Sequence, residues 1–171
     1  MRWDQLEQES CSLTRTLSVI GDRWTLLILR DCFLKVRRFE DFHSRLGIAR
    51  GILANRLQKL VDAFVLAKLA YQENPTRYEY RLTDKGRDLY PIIMSMVHWG
   101  DTHMVDKKGR PVLHQHLGCG ELFDPMLVCS ECGEPIEARH VRVLPGPGAT
   151  NPDLTPSHSL AATGTEGGGT P

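Results

Sequence analysis

Two short amphipathic helical patterns between Phe39 and Phe64, followed by two β-rich runs flanking a proline turn, predict a mainly α fold with a small β-hairpin. A third observation agrees with them, because basic residues fall on the second helix and beside the turn. Together they describe an α+β arrangement of the winged helix-turn-helix kind, in which one helix enters a DNA groove and the hairpin lies alongside.

Each element has its own local signal. Leu13, Leu17, Ile20, Trp24, Leu27 and Ile28 recur at helical spacing, so Ser12 to about Leu34 reads as helix, broken near Gly21-Asp22, with Asp22 capping its second half. Phe39, Phe42 and Leu46 mark a short helix that ends at Gly47. In the next helix Leu53, Leu57, Leu60 and Phe64 define a face that must be buried. The opposite face carries Gly51, Asn55, Gln58, Lys59 and Asp62, with Arg50 and Arg56 on its flanks. Leu66 to Gln72 and Arg77 to Leu82 form the hairpin around Glu73-Asn74-Pro75-Thr76. Thr83 caps a last helix from Lys85 to Asp106, which Pro91 should bend or limit. Its apolar residues are too many for one stripe, which points to a partner subunit.

The chain has 171 residues, 41% of them hydrophobic, enough for one core with an appendage. Its net charge is zero but segregated: residues 1–110 hold 19 Lys and Arg against 14 Asp and Glu, and the remainder 2 against 7. A basic front and an acidic rear fit a DNA-binding domain joined to a segment that does not touch DNA. No apolar run reaches the roughly 18 to 20 residues of a membrane span and no signal-peptide pattern opens the chain, so a cytoplasmic protein is expected. Without paired carboxylates at usable spacing, a phosphate loop or a nucleophile with an evident base, an enzyme is not expected.

On this surface Arg50, Gly51 and Asn55 are the candidates for base-edge contacts, Arg50 with guanine and Asn55 bidentate with adenine. Arg56, Lys59 and Arg77 are the candidates for phosphate contacts. The hairpin tip adds Asn74 and Thr76 as donors near Arg77.

Cys11, the block GDRWTLLILR from Gly21 to Arg30, Arg38-Phe39, Gly47-Ile48, Leu53, Arg56-Leu57, Leu60, Pro75, the block YRLTDKG from Tyr80 to Gly86, and Trp99-Gly100 together resemble the HxlR family of winged-helix transcriptional regulators. The likeness spans roughly residues 11 to 106. It implies a homodimer joined mainly through its terminal helices, reading a pseudo-palindromic operator in double-stranded DNA with helices about 34 Å apart. It also brings out departures. Ala49 and Ala54 stand where the family usually has serine and threonine, so Ile48 is expected to hold the helix entry by packing. Asp62-Ala63-Phe64 stands where a glycine usually precedes the first wing strand. Some family members use a cysteine at the position of Cys11 as a redox or electrophile sensor; here Ser12 follows it in place of a common proline, and Arg15 is a source of positive charge one turn on. The other reading of Cys11 is a small, partly buried thiol, while Cys32, among Leu29, Phe33 and Leu34, reads as core.

Behind this region, His116-Leu-Gly-Cys119-Gly and Cys129-Ser-Glu-Cys132-Gly form two units of similar spacing. A glycine after each second ligand allows a tight turn, so His116, Cys119, Cys129 and Cys132 would complete a closed, structural tetrahedral zinc site. His114 or His140 could replace His116, and a redox dithiol at Cys129 and Cys132 or chance placement remains open. The expected organisation is an N-terminal arm (1–10), a DNA-binding and dimerisation domain (11–110), a Cys/His extension (111–144) and a disordered tail rich in Pro, Gly, Ser and Thr (145–171). The expected function is a dimeric, sequence-specific transcriptional regulator tuned by a small-molecule or redox effector. The alternatives are a zinc-stabilised interaction module attached to a winged helix and, behind it, a Cys/His metalloenzyme.

Overall fold

Capping groups and left-handed residues divide the chain into its elements. In the computed structural model, which describes residues 10–149, α1 is Ser12–Ile20 and α2 is Arg23–Phe33. Asp22 separates them: its backbone is extended and its carboxylate accepts the N–H groups of Trp24 and Thr25 at 3.0 and 3.3 Å. Helix α3 (Phe39–Leu46) stops at Gly47, whose φ of 60° lets its N–H return to the His43 carbonyl. Helix α4 is Arg50–Asp62; Ala49 gives it no side-chain cap, and buried Ile48 anchors its entry as expected.

Strands β1 (Leu66–Gln72) and β2 (Arg77–Leu82) pair antiparallel from Leu66 opposite Leu82 to Gln72 opposite Arg77, with one irregularity between Ala70 and Gln72. The Asn74–Pro75 peptide in their turn is cis. Arg38 bridges to Glu79, and the Tyr80 N–H donates to the Arg37 carbonyl at 2.8 Å, so the segment before α3 is stitched to β2.

The last predicted helix is two helices, α5 (Asp84–Arg87) and α6 (Tyr90–His103). Thr83 caps the first by accepting the Gly86 N–H at 3.0 Å. Pro91 lies in the first turn of α6, where a missing N–H costs nothing, so it starts a helix rather than bending one.

Ile28 and Leu29 of α2, Phe42 of α3, Leu53, Leu57 and Leu60 of α4, and Leu66 of β1 form the centre of the core. Each such side chain contributes about 1.5–3 kcal/mol by leaving water, so one face of α4 is fixed against α2, α3 and β1 and the opposite face is presented outward.

Phe64 departs from the sequence reading. Expected as the fourth buried residue, it is 75% exposed, with φ 57°. The helix has already ended: the Phe64 N–H donates to the Val61 carbonyl and the Val65 N–H to the Leu60 carbonyl, both at 2.9 Å. This is a Schellman closure with a phenylalanine in the place a glycine prefers, sealed by buried Leu60 and Val65. Helix α2 closes in the same way through Lys35, φ 65°, with the Lys35 N–H on Cys32 and the Val36 N–H on Asp31, each 3.0 Å. A left-handed conformation costs a residue with a side chain about 1–2 kcal/mol, which the packed neighbours offset.

The turn into α5 is pressed against this helix end. The Thr83 hydroxyl donates to the Phe64 carbonyl at 2.7 Å, Lys85 Nζ donates to the Ala63 carbonyl at 2.8 Å, and a Cβ on Gly86 would lie 2.2 Å from the Val65 carbonyl oxygen.

Two units divide at Met126/Leu127, inside the segment expected as the extension, so the His116–Cys119 turn lies in the first unit and the Cys129–Cys132 turn in the second. Residues 1–9 and 150–171, which hold most of the expected arm and tail, lie outside the described residues. Among the described residues no helix is long and apolar enough to cross a membrane.

Candidate nucleic-acid interface

Burial of Leu53, Leu57 and Leu60 leaves Gly51, Asn55 and Lys59 on the exposed side of α4, together with Ile52, Ala54 and Gln58. A Cβ at Gly51 would meet open space, so this backbone can be approached closely. Asn55 accepts through Oδ1 from Arg56 Nη1 at 2.8 Å, and its NH2 has no partner among the described residues. Gln58 is engaged with Asp62 at 2.7 Å along the same helix.

The two arginines of α4 differ sharply. Arg50, at the first helical position, chelates the Glu40 carboxylate, with Nη1 2.9 Å from Oε2 and Nη2 on the other oxygen. Its guanidinium also lies 5.0 Å from the centroid of the Phe39 ring. Both partners are more than half exposed, at 59% and 67%. The hydrogen bond from Arg50 holds the Glu40 carboxyl below its ordinary range against some desolvation, and the charges of Arg50, His43 and Arg77 add to it. Exposed Arg77 at the start of β2 therefore shares an electrostatic neighbourhood with the start of α4.

Arg56 turns the other way. Its Nε and Nη2 hold the two Asp22 oxygens at 2.8 and 3.2 Å, and its side chain is 24% exposed. One carboxylate thus caps α2 and ties it to α4. Partial burial acts to raise the Asp22 carboxyl, but the Arg56 hydrogen bond and the N–H groups of Thr25 and Trp24 outweigh it and hold it below the ordinary range.

The structure adds a residue the sequence reading missed. Arg23, exposed at the first position of α2 with its guanidinium 5.1 Å from the Trp24 ring centroid, lines a shallow hollow of about 350 Å³ with Gly51, Ile52 and Asn55. It was discoverable only as a cation at a helix N-terminus, a weak signal until α2 is known to lie beside α4.

The HxlR-like helix-turn-helix family model matches residues 19–108, which takes in α2, α3, α4, the hairpin and α6. The chain belongs to this family. An HTH-type transcriptional regulator of Mycobacterium tuberculosis, Rv3095, is 46% identical to it over 82% of this chain and 89% of its own. The HTH-type regulator YdeP of Bacillus subtilis is 31% identical over 56% of this chain and 75% of its own. Among solved structures, PA1607 superposes with a TM-score of 0.73 at 36% identity, covering 81% of this chain and 96% of that one. The reduced form of the redox regulator HypR superposes with a TM-score of 0.50 at 29% identity, covering 54% and 92%. The fold is the winged helix of DNA-binding transcriptional regulators, with α3 and α4 as its helix-turn-helix and β1–β2 as its wing.

In this HxlR-like chain Cys11 is the N-cap residue of α1 and is partly buried. Its thiol is held below its ordinary range, first by the nearby Thr14 hydroxyl, then by the N–H groups of Thr14 and Leu13; Arg15, the cation expected to act, contributes least. Cys32 is buried in the core, as expected, and its thiol is pushed up to about 12 by burial and then by Asp31.

Behind the region the family model covers, the two Cys-bearing turns repeat each other bond for bond. In the first unit the Gly120 N–H donates to the His116 carbonyl at 2.8 Å and the His116 N–H to the Glu121 carbonyl at 2.9 Å. In the second unit the Gly133 N–H donates to the Cys129 carbonyl and the Cys129 N–H to the Glu134 carbonyl, both at 2.9 Å. Gly120 and Gly133 have φ of 77° and 75°, the left-handed conformation each turn requires. The first turn brings His116 Nδ1 to 3.3 Å from Cys119 Sγ. In the second, the N–H groups of Cys132 and Glu131 and then the Cys132 thiol hold the Cys129 thiol below its ordinary range. The predicted ligands are therefore assembled as two pairs. Among the described residues no three His, Cys, Asp or Glu side chains are grouped to hold a metal ion.

Proposed function

We propose that this HxlR-like regulator acts as a homodimer on a pseudo-palindromic operator, with α4 of each copy in the major groove and the wing against the flanking backbone. The observation that carries the reading is the outward face of α4. Gly51 and Asn55 lie open on a helix locked to the core from behind, with Arg50, Lys59 and Arg77 around them to meet phosphates and base edges. Arg56, engaged with Asp22, serves the helix rather than the phosphates.

The dimer reading rests on apolar surface at the ends of the domain. Leu13 of α1 is 67% exposed, and Ile92, Met96 and Trp99 of α6 are exposed as well. Sedimentation of the full chain, combined with selection of bound duplexes from a random pool, tests both parts. A dimer that enriches an inverted repeat with half-sites one helical turn apart is expected; a monomer, or enrichment of no sequence, overturns it.

Cys11 is the residue we assign to a redox or electrophile input, and the similarity to the redox regulator HypR supports that reading. Iodoacetamide, which forms a sulfur–carbon bond and expels iodide, should modify Cys11 at lower pH than an ordinary thiol; a rate rising only near the free-thiol pKa of about 8.5 overturns it.

A second reading concerns the extension, and the matched turns favour it. Each presents two metal-ligand side chains on a glycine-closed loop, and two such pairs are what a closed tetrahedral zinc site takes. The metal content of the full chain and of Cys129→Ser tests it. Stoichiometric zinc that the variant loses is expected, and a zinc-free chain or unchanged zinc in the variant overturns it.

A further inference from the structure

Within the first unit, the end of α2, strand β2 and the start of α6 line an open cleft of about 640 Å³. That volume lies in the range of about 300–1,000 Å³ typical of small-molecule sites.

The walls are aromatic. The Phe33 and Tyr90 rings stand 4.8 Å apart between centroids, inclined at 56°. Beside them is half-buried Tyr80, whose phenol is pushed up by burial and so keeps its proton for donation. The buried Cys32 thiol adds no charge at neutral pH.

The rim is cationic. Lys35, Arg37, Arg81 and Arg87 line the cleft, and no carboxylate does. Two of these cations are already satisfied, Arg81 by Glu79 at 2.6 Å and Arg87 by Asp84 and the Leu82 carbonyl. Lys35 and Arg37 have no ion pair among the described residues. Asp31, a nearby acid in the chain, is buried and committed to Arg30 and Arg45. The backbones that carry these two cations are fixed, because the left-handed Lys35 closes α2 and the Arg37 carbonyl is bonded to the Tyr80 N–H.

Unpaired, positioned cations beside an aromatic wall select an anion with a planar apolar body. We propose that this cleft binds aromatic carboxylates, with Lys35 and Arg37 taking the carboxylate and Phe33, Tyr80 and Tyr90 the ring, and that it is the effector site of this regulator. Its regulatory half rests on the operator reading above; its binding half does not. An occupant touches both the wing strand and the helix that leads to the apolar end of the domain, so different affinity in DNA-bound and free states would shift operator occupancy.

Calorimetric titration of the full chain with 2-naphthoate, 2-naphthamide and inorganic phosphate tests the chemistry. Naphthoate should bind, with naphthamide and phosphate at least about tenfold weaker, the loss of one charge-assisted contact. Arg37→Ala, and separately Lys35→Gly, which relieves the backbone, should each weaken naphthoate about tenfold while leaving operator affinity without ligand unchanged. Equal binding of acid and amide, phosphate binding as tight as naphthoate, or wild-type affinity in both variants overturns the proposal. So does lost operator affinity in ligand-free Arg37→Ala, which would make these cations phosphate contacts. A chain that binds naphthoate but selects no DNA would overturn the operator reading and the effector role while leaving the binding site standing.

Discussion

Arg50 and Arg56 stand fewer than two turns apart on α4, and the fold treats them oppositely. Arg50 meets an exposed carboxylate that water or a phosphate can replace, so its pairing contributes little and can be exchanged. Arg56 meets a carboxylate that already caps another helix, in a partly covered site where both oxygens are used. A cation on a recognition helix is thus available for DNA only if its intramolecular partner can be surrendered cheaply. By that measure Arg50, Lys59 and Arg77 remain candidates and Arg56 becomes the anchor that sets the angle of α4.

Removing the anchor should have the largest effect. Asp22→Ala deletes a cap and leaves Arg56 without its partner, which should destabilise the fold by about 2 kcal/mol in denaturant unfolding. The sign with pH follows from the lowered Asp22 carboxyl. Its contribution is complete above the ordinary aspartate range near pH 4 and is lost as pH falls through the folded-state value, so the variant should have a shallower acid limb. Wild-type stability with raised, more salt-dependent DNA affinity, the released Arg56 now reaching phosphate, would instead place Arg56 beside Arg50.

Asn55→Ala should next cost about 1–3 kcal/mol of discrimination at one operator position, leaving salt-dependent binding to random DNA nearly intact. Uniform weakening on all sequences would reassign Asn55 to the backbone class. Just past the end of the same helix, Phe64→Gly should stabilise the protein by up to about 1 kcal/mol, the relief of left-handed strain less the greater folding entropy of glycine. A loss of stability would mean that the exposed ring packs against something in the assembled protein. The smallest effect is expected from Glu40→Gln, which releases Arg50. Operator affinity should rise slightly, and only on operators with guanine at the position Arg50 meets; an equal rise on all sequences would move Arg50 to the phosphate contacts, and no rise would show that it does not reach the DNA.

The limits of α1 to α3 and of both strands, and the start of α4, were legible because the signals that set them are local: Asp22 as a cap, Gly47 as a left-handed stop, Pro75 in a turn. The buried face of α4 followed from Leu53, Leu57 and Leu60 for the same reason. At Phe64 the apolar periodicity continues past the point where the backbone turns, and only the packing of Leu60 and Val65 ends the helix there. Pro91 starts a helix because α5 ends at Arg87 and a second helix begins at Tyr90, a break that the continuous apolar pattern after Thr83 does not show. In the site, exposure of Gly51, Asn55 and Lys59 came from helical phase alone. The engagement of Arg56 did not, since Asp22 lies 34 positions away. The cleft beside Lys35 was invisible for the same reason, its walls being drawn from three separated elements.

Gly86 has a mechanical meaning. With Thr83 and Lys85 bonded to the Phe64 and Ala63 carbonyls just past α4 and no room for even a methyl group against Val65, α4 and the segment leading into α6 meet in a joint without slack. A twist applied to one end of the domain cannot be absorbed there by a side chain changing rotamer. A displacement of the segment leading into α6 would therefore have to be taken up by the backbone at the end of α4.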